Sequence, residues 1–147
     1  FNLTVVAWDP VHNEDLAREF GVEYVSLKEL YQRADFITIH ASAREQLIGP
    51  NELSLMRPTT ALINCARGIH VDNRAAYQAV RDGRLWGYGL DEVWPEADLP
   101  LEGLNIAVSP HVGSDTDRGK ARMQLAGAQA VADFVSGRRP KHVVTPQ

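Results

Sequence analysis

The segment Ala61-Leu-Ile-Asn-Cys-Ala-Arg-Gly-Ile-His-Val-Asp72 sets one arginine, Arg67, just past a short apolar run. Two later segments have the same form. Tyr88-Gly-Leu-Asp-Glu-Val93 carries Asp91 at its polar end, and Ile106-Ala-Val-Ser-Pro-His-Val-Gly-Ser114 leads to His111, with Glu96 in the loop between them. A guanidinium is a planar fork of N–H donors that matches a carboxylate in two hydrogen bonds and keeps its charge at every working pH. An imidazole, with an ordinary pKa of about 6.5, can pass a proton to an oxygen and take it back. A carboxylate beside it holds the tautomer and favours the protonated form; Glu96 is the first choice for that partner and Asp98 the second. Arg67, Glu96 and His111 together can orient an acid and move a proton.

Other residues at run ends fit around that trio. Asp9 follows Thr4-Val-Val-Ala-Trp8. In a dinucleotide-binding sheet an acid at that place accepts from the adenosine ribose hydroxyls and repels a 2′-phosphate, which selects NAD over NADP. A plain turn aspartate ahead of Pro10 is the simpler reading of the same residue. Asp91 could accept from a nicotinamide carboxamide or cap its turn, and Gly68 allows close backbone approach to a ligand or makes a turn. Cys65 is expected to be a small buried filler rather than a nucleophile, having no paired base. His12, His40, His70 and His142 lack a carboxylate or cysteine at metal-ligand spacing, so no metal is expected; His40, ending a strand, could line a cofactor cleft.

The elements that must position these groups follow from the remaining pattern. Strands are expected at Thr4–Trp8, Phe36–Ile39, Thr60–Asn64, Leu85–Leu90 and Asn105–Ser109. Between them, Asn13 caps a helix with Leu16, Ala17 and Phe20 on one face and Gly21 at its end. Ser26 and Glu29 form a capping box for Leu27–Arg33. A short helix covers Glu52–Met56 before Pro58, and Asp72 opens one that ends near Asp82 and Gly83. Thr116 or Asp117 opens a long helix to Val135 with Ala121, Leu125, Ala128, Ala132 and Val135 on one face. Strands alternating with helices predict an α/β fold with a parallel sheet.

The 147 residues suit one domain, and 44% hydrophobic with 23% charged is ordinary for a globular chain. A formal charge of −4 argues against a nucleic-acid surface, and Arg138, Arg139 and Lys141 read as a solvated helix end. The single cysteine excludes an internal disulfide, and no apolar run is long enough for a membrane span, so a cytoplasmic location is expected.

Trp8-Asp9-Pro10, Leu27-x-x-Leu30-x-x-x-Ala34-Asp35-Phe36, Leu53-x-x-Met56-Arg57-Pro58, Leu62-Ile-Asn-x-Ala-Arg-Gly-x-x-Val-Asp72, Gly89-Leu-Asp91 and Ser109-Pro-His-Val-Gly113 occur in this order. This order resembles the D-isomer-specific 2-hydroxyacid dehydrogenases, which include phosphoglycerate, glyoxylate/hydroxypyruvate, D-lactate and formate dehydrogenases. The resemblance implies an NAD-binding Rossmann domain, a separate substrate domain and hydride transfer to or from a small 2-hydroxy or 2-oxo acid. It implies that Arg67 binds and polarises the substrate, that His111 is the acid/base and that Glu96 pairs with His111. Asp9 would bind the adenosine ribose and Asp91 the nicotinamide amide, while Cys65, Ala66, Arg67, His111, Gly113 and Ser114 line the cofactor. A homodimer is the family's common state. Glu92, Val93 and Ala97 depart from the family's usual steps around Glu96.

The Gly-rich strand–turn–helix of such a domain is not in this sequence. The expectation is therefore a partial Rossmann-type doubly wound parallel sheet lacking its first Gly-rich strand–helix unit. It would occupy residues 1–139, with 140–147 extending toward a substrate domain. In the strand order 3-2-1-4-5-6 the missing strand is central, so Val5–Trp8 and Phe36–Ile39 should lack a neighbour toward Thr60–Asn64. The chain then reads as a fragment of a longer dehydrogenase, inactive alone. The alternative is a non-catalytic dinucleotide-sensing or protein-interaction module of the same fold.

Overall fold

The computed structural model describes residues 2–96 and 98–143. The chain forms two compact units, Phe1–Pro110 and His111–Gln147. Among its described residues the first contains β1 (Val6–Ala7), α1 (Glu14–Phe20), β2 (Glu23–Tyr24), α2 (Leu27–Arg33), β3 (Phe36–Ile39), α3 (Pro50–Leu53), β4 (Ala61–Asn64), α4 (Asn73–Arg81), β5 (Gly87–Leu90) and β6 (Ile106–Val108). A 3-10 turn, Gly68–His70, sits between β4 and α4.

All strand pairs are parallel, in a two-stranded sheet β1-β2 and a four-stranded sheet β3-β4-β5-β6. β4 is buried along nearly its whole length, as a strand covered on both faces must be. β3 alternates, with Ile37 and Ile39 buried and Phe36 and Thr38 exposed. The core gathers around Leu62, Ile48, Leu85 and Tyr88, with Ala76 and Ala79 of α4 against it.

Local chemistry sets the helix limits. Asn13 accepts from the Asp15 and Leu16 N–H groups, and Gly21 closes α1 in the left-handed region at φ 67°. Ser26 caps α2 through the Glu29 N–H, and Asp72 caps α4 through the Ala75 N–H. The reciprocal half of the expected capping box is not made: the Glu29 carboxylate turns to Arg33 at 2.6 Å.

One expectation is corrected. Phe36–Ile39 does not lack a neighbour toward residues 60–64, because β3 pairs with β4 in register from Phe36↔Ala61 to Ile39↔Asn64. Among the described residues β3 and β1 each keep one unpaired edge, as do β6 and β2 at the other side of each sheet. The apolar face expected on α1 also remains uncovered, with Leu16 42% and Phe20 64% exposed.

The second unit holds α5 (Asp117–Val135), capped by Thr116, which accepts from the Gly119 N–H at 3.0 Å. Its expected face is uncovered, Leu125 and Val135 being 70% and 79% exposed. Among the described residues no helix is long and apolar enough to cross a membrane. Val144–Gln147, half of the expected extension, lie outside the described residues.

Candidate active site

Arg67 stands just past the carboxyl end of β4, where open parallel sheets bind ligands. Its main chain is held on three sides. The Asn64 side chain, 1% exposed, donates from Nδ2 to the Arg67 carbonyl at 2.7 Å, while its Oδ1 accepts from the Ala66 N–H at 3.1 Å. Glu92 Oε2 accepts from the Gly68 N–H at 2.7 Å. Asn73 Nδ2 donates to the Gly68 carbonyl at 3.4 Å, and Asn73 Oδ1 accepts from the buried Tyr88 hydroxyl at 2.8 Å. Burial pushes the Tyr88 phenol well above its usual range, so it remains a neutral donor.

The Arg67 guanidinium spends one bond on the neighbouring Ala66 carbonyl at 2.7 Å and meets no carboxylate among the described residues. It lines a cleft of about 500 Å³ with Ala41, Ser42, Ala43, Arg44 and Ile69. Cys65 is exposed at this strand end, not the buried filler expected, because it falls beyond the last residue of β4.

Asp91 follows the last residue of β5 beside this point. Its N–H donates to the Asn64 carbonyl at 3.0 Å, continuing the β4–β5 ladder, and its Oδ1 accepts from the Ser109 hydroxyl at 2.6 Å. Asp9, exposed beyond β1, accepts from the Val11 N–H at 2.8 Å. His40 bonds Thr38 across 2.9 Å.

Glu96 lies in an adjoining cleft of about 790 Å³, lined also by Gly68, Ile69, Glu92 and Val93. Arg74 of α4 holds it, Nε to Glu96 Oε2 at 2.7 Å, and grips Asp98 with both terminal nitrogens at 3.1 and 2.7 Å. The Arg74 hydrogen bonds keep the Asp98 carboxyl below its usual range. Trp94 fixes the loop from the other side: its Nε1 donates to the Glu96 carbonyl at 2.9 Å and its ring meets Tyr88 edge-on at 6.5 Å.

His111, Gly113 and Ser114 open the second unit. His111 has φ +57°, in the left-handed region that residues with a Cβ seldom take and that recurs at functional sites. Ser114 accepts from the Thr116 N–H at 2.9 Å, and a Cβ at Gly119 would lie 2.6 Å from the Ser114 carbonyl, so this turn requires glycine there.

The first unit thus brings Cys65, Ala66, Arg67 and Asp91 to neighbouring strand ends and puts Glu96 one cleft away. Sequence reasoning missed the groups that hold them. Asn64 was visible as the polar end of an apolar run and as part of the Asn-x-Ala-Arg-Gly motif, with no role attached, and Arg74 acts across a sequence separation that no local spacing reports.

Residues 1–113 match the family described as D-isomer specific 2-hydroxyacid dehydrogenase, NAD binding domain. The chain is 32% identical to a glyoxylate reductase of Korarchaeum cryptofilum, over 100% of this chain and 46% of that protein. It is also 32% identical to a D-3-phosphoglycerate dehydrogenase of Methanocaldococcus jannaschii, over 98% of this chain and 29% of the other. Among solved structures, D-lactate dehydrogenase from Aquifex aeolicus, complexed with NAD and lactic acid, superposes with a TM-score of 0.82 at 30% identity, covering 92% of this chain and 47% of that one. The chain therefore spans half or less of the length of these relatives. With the Rossmann-like parallel fold and the Asn-x-Ala-Arg-Gly turn both in place, the chain belongs to the D-isomer specific 2-hydroxyacid dehydrogenase family and carries its NAD binding domain.

Proposed function

We propose that this chain is the cofactor-carrying part of an enzyme that moves a hydride between NAD and a small 2-hydroxy or 2-oxo acid, with D-isomer specificity. The observation that carries the reading is Arg67: a guanidinium without a carboxylate partner among the described residues, on a clamped turn, opening into a cleft at a parallel-strand end. Its fork takes the substrate carboxylate and draws the carbonyl into place. His111 gives a proton to the carbonyl oxygen during reduction and recovers it in the reverse direction. Glu96 would support the charged imidazole, and Arg74 holds that carboxylate through an ion pair.

The donor set fits a dinucleotide: an exposed carboxylate past β1, small residues Cys65 and Ala66 past β4, and a second carboxylate past β5. Asp9 would hold the adenosine ribose, Asp91 the carboxamide, and Cys65, Ala66, Gly113 and Ser114 would line the site. NAD, when bound, supplies the hydride acceptor or donor; the residues here bind, orient and move the proton.

In this reading the chain acts as part of a longer, homodimeric enzyme in the cytoplasm, where a lone unpaired Cys65 stays reduced. The unpaired edges of β1 and β3 support a further parallel strand between them, contributed by the rest of the enzyme. The test is NADH oxidation by the full-length protein over a panel of 2-oxo acids. Activity that falls at least about a hundredfold in His111→Ala supports the role of His111. NADH binding without turnover of any 2-oxo acid would favour a dinucleotide-sensing module instead.

A further inference from the structure

The unit Phe1–Pro110 contains eight arginines. Arg18, Arg33, Arg57, Arg74, Arg81 and Arg84 each pair with a carboxylate. The other two, Arg44 and Arg67, have no carboxylate partner among the described residues, and both line the same cleft of about 500 Å³. In a chain of formal charge −4, two uncompensated guanidinium groups facing one space make a local trap for anions.

Arg44 is also held in place relative to Arg67. The fully buried His70 ring puts Nε2 2.8 Å from the Ala43 carbonyl; a carbonyl only accepts, so Nε2 carries the proton and donates. The His70 carbonyl in turn accepts from the Leu47 and Ile48 N–H groups, each at 2.9 Å, and Ile48 bridges Val71 as a parallel strand would. The loop bearing Arg44 is therefore fastened at both ends to the turn bearing Arg67. Ala41, Ser42 and Ala43 are small, so the cleft between the two arginines keeps room for a ligand.

We propose that Arg44 is a second anion-binding residue of this cleft, which therefore takes a 2-oxo or 2-hydroxy acid bearing a further acidic group, a carboxylate or a phosphate ester. The proposal rests on the reading of Arg67 as the residue that binds the acid. A monoacid satisfies one fork and leaves the other uncompensated, whereas a diacid satisfies both, and each charge-assisted bond adds specificity. The other source of a double negative charge is the pyrophosphate of NAD, and the experiment separates the two.

Calorimetric titration of the full-length protein compares oxaloacetate and 2-oxoglutarate with 2-oxobutanoate and 2-oxopentanoate, pairs matched in carbon number, and titrates NADH separately. The diacids should bind about tenfold or more tighter than their monoacid partners. Arg44→Gln should abolish that preference, and Arg44→Lys, which keeps the charge, should retain part of it. Equal binding of the paired acids, with Arg67→Gln still weakening both, overturns the role of Arg44 and leaves the acid site standing. A loss confined to NADH in Arg44→Gln assigns Arg44 to the pyrophosphate and overturns the substrate class. If no acid binds and Arg67→Gln changes nothing, the acid site itself falls, and this proposal with it.

Discussion

Arg67 owes its readiness to the groups around its backbone rather than to its own side chain. Asn64, Glu92 and Asn73 each meet a peptide group next to it, so the guanidinium is presented from a rigid base. Removing Asn64 leaves the Arg67 carbonyl and the Ala66 N–H without their partner in a partly buried place. Asn64→Ala should lower stability by about 1–3 kcal/mol in urea unfolding, and raise KM for the acid in the full-length enzyme. Arg74 plays the same part for Glu96 and Asp98. Because Asp98 titrates below its usual range when folded, this interaction favours the fold above the ordinary aspartate pKa and is lost as pH falls through the depressed value. Arg74→Gln should raise the Asp98 midpoint toward the ordinary aspartate range, readable by carboxyl-carbon NMR titration. An unmoved midpoint would separate Asp98 from Arg74.

At the scale of elements, capping chemistry was legible because it is local. Asn13, Ser26, Asp72 and Thr116 all accept from the helix N–H groups their positions suggest. β2 was not legible: Glu23–Tyr24 is two residues long, too short for any periodicity, and exists because β1 pairs with it. The turn Gly68–His70 was likewise hidden, being made by the Asn64 and Glu92 contacts rather than by its own composition. β5 shows how close strand packing limits the sequence. A Cβ at Gly87 would lie 2.6 Å from Asn105 Nδ2 and 3.0 Å from the Asn105 carbonyl, which belongs to the backbone leading into β6. Gly87→Ala should therefore cost about 1–3 kcal/mol in chemical unfolding and displace the β5 end that carries Asp91. An unchanged unfolding midpoint would show that β6 yields freely.

For the whole molecule, uncovered surface is the telling feature: the apolar faces of α1 and α5 and the open edges of β1 and β3. Sequence pattern told which faces are apolar, but not that they stay open, since covering depends on what packs against them. It also told which side chains end the strands, Arg67 and Asp91 among them, because an apolar run followed by a polar residue is a one-dimensional signal. Arg44 carried no such signal; its meaning arises only where the fold brings it to the Arg67 cleft. The most direct test of the account is kcat/KM of the full-length enzyme for its best 2-oxo acid in Arg67→Gln. Loss of the carboxylate-binding fork should lower it at least about a hundredfold while NADH affinity changes far less. A variant that keeps wild-type kcat/KM would contradict the assignment of Arg67 as the residue that grips the acid.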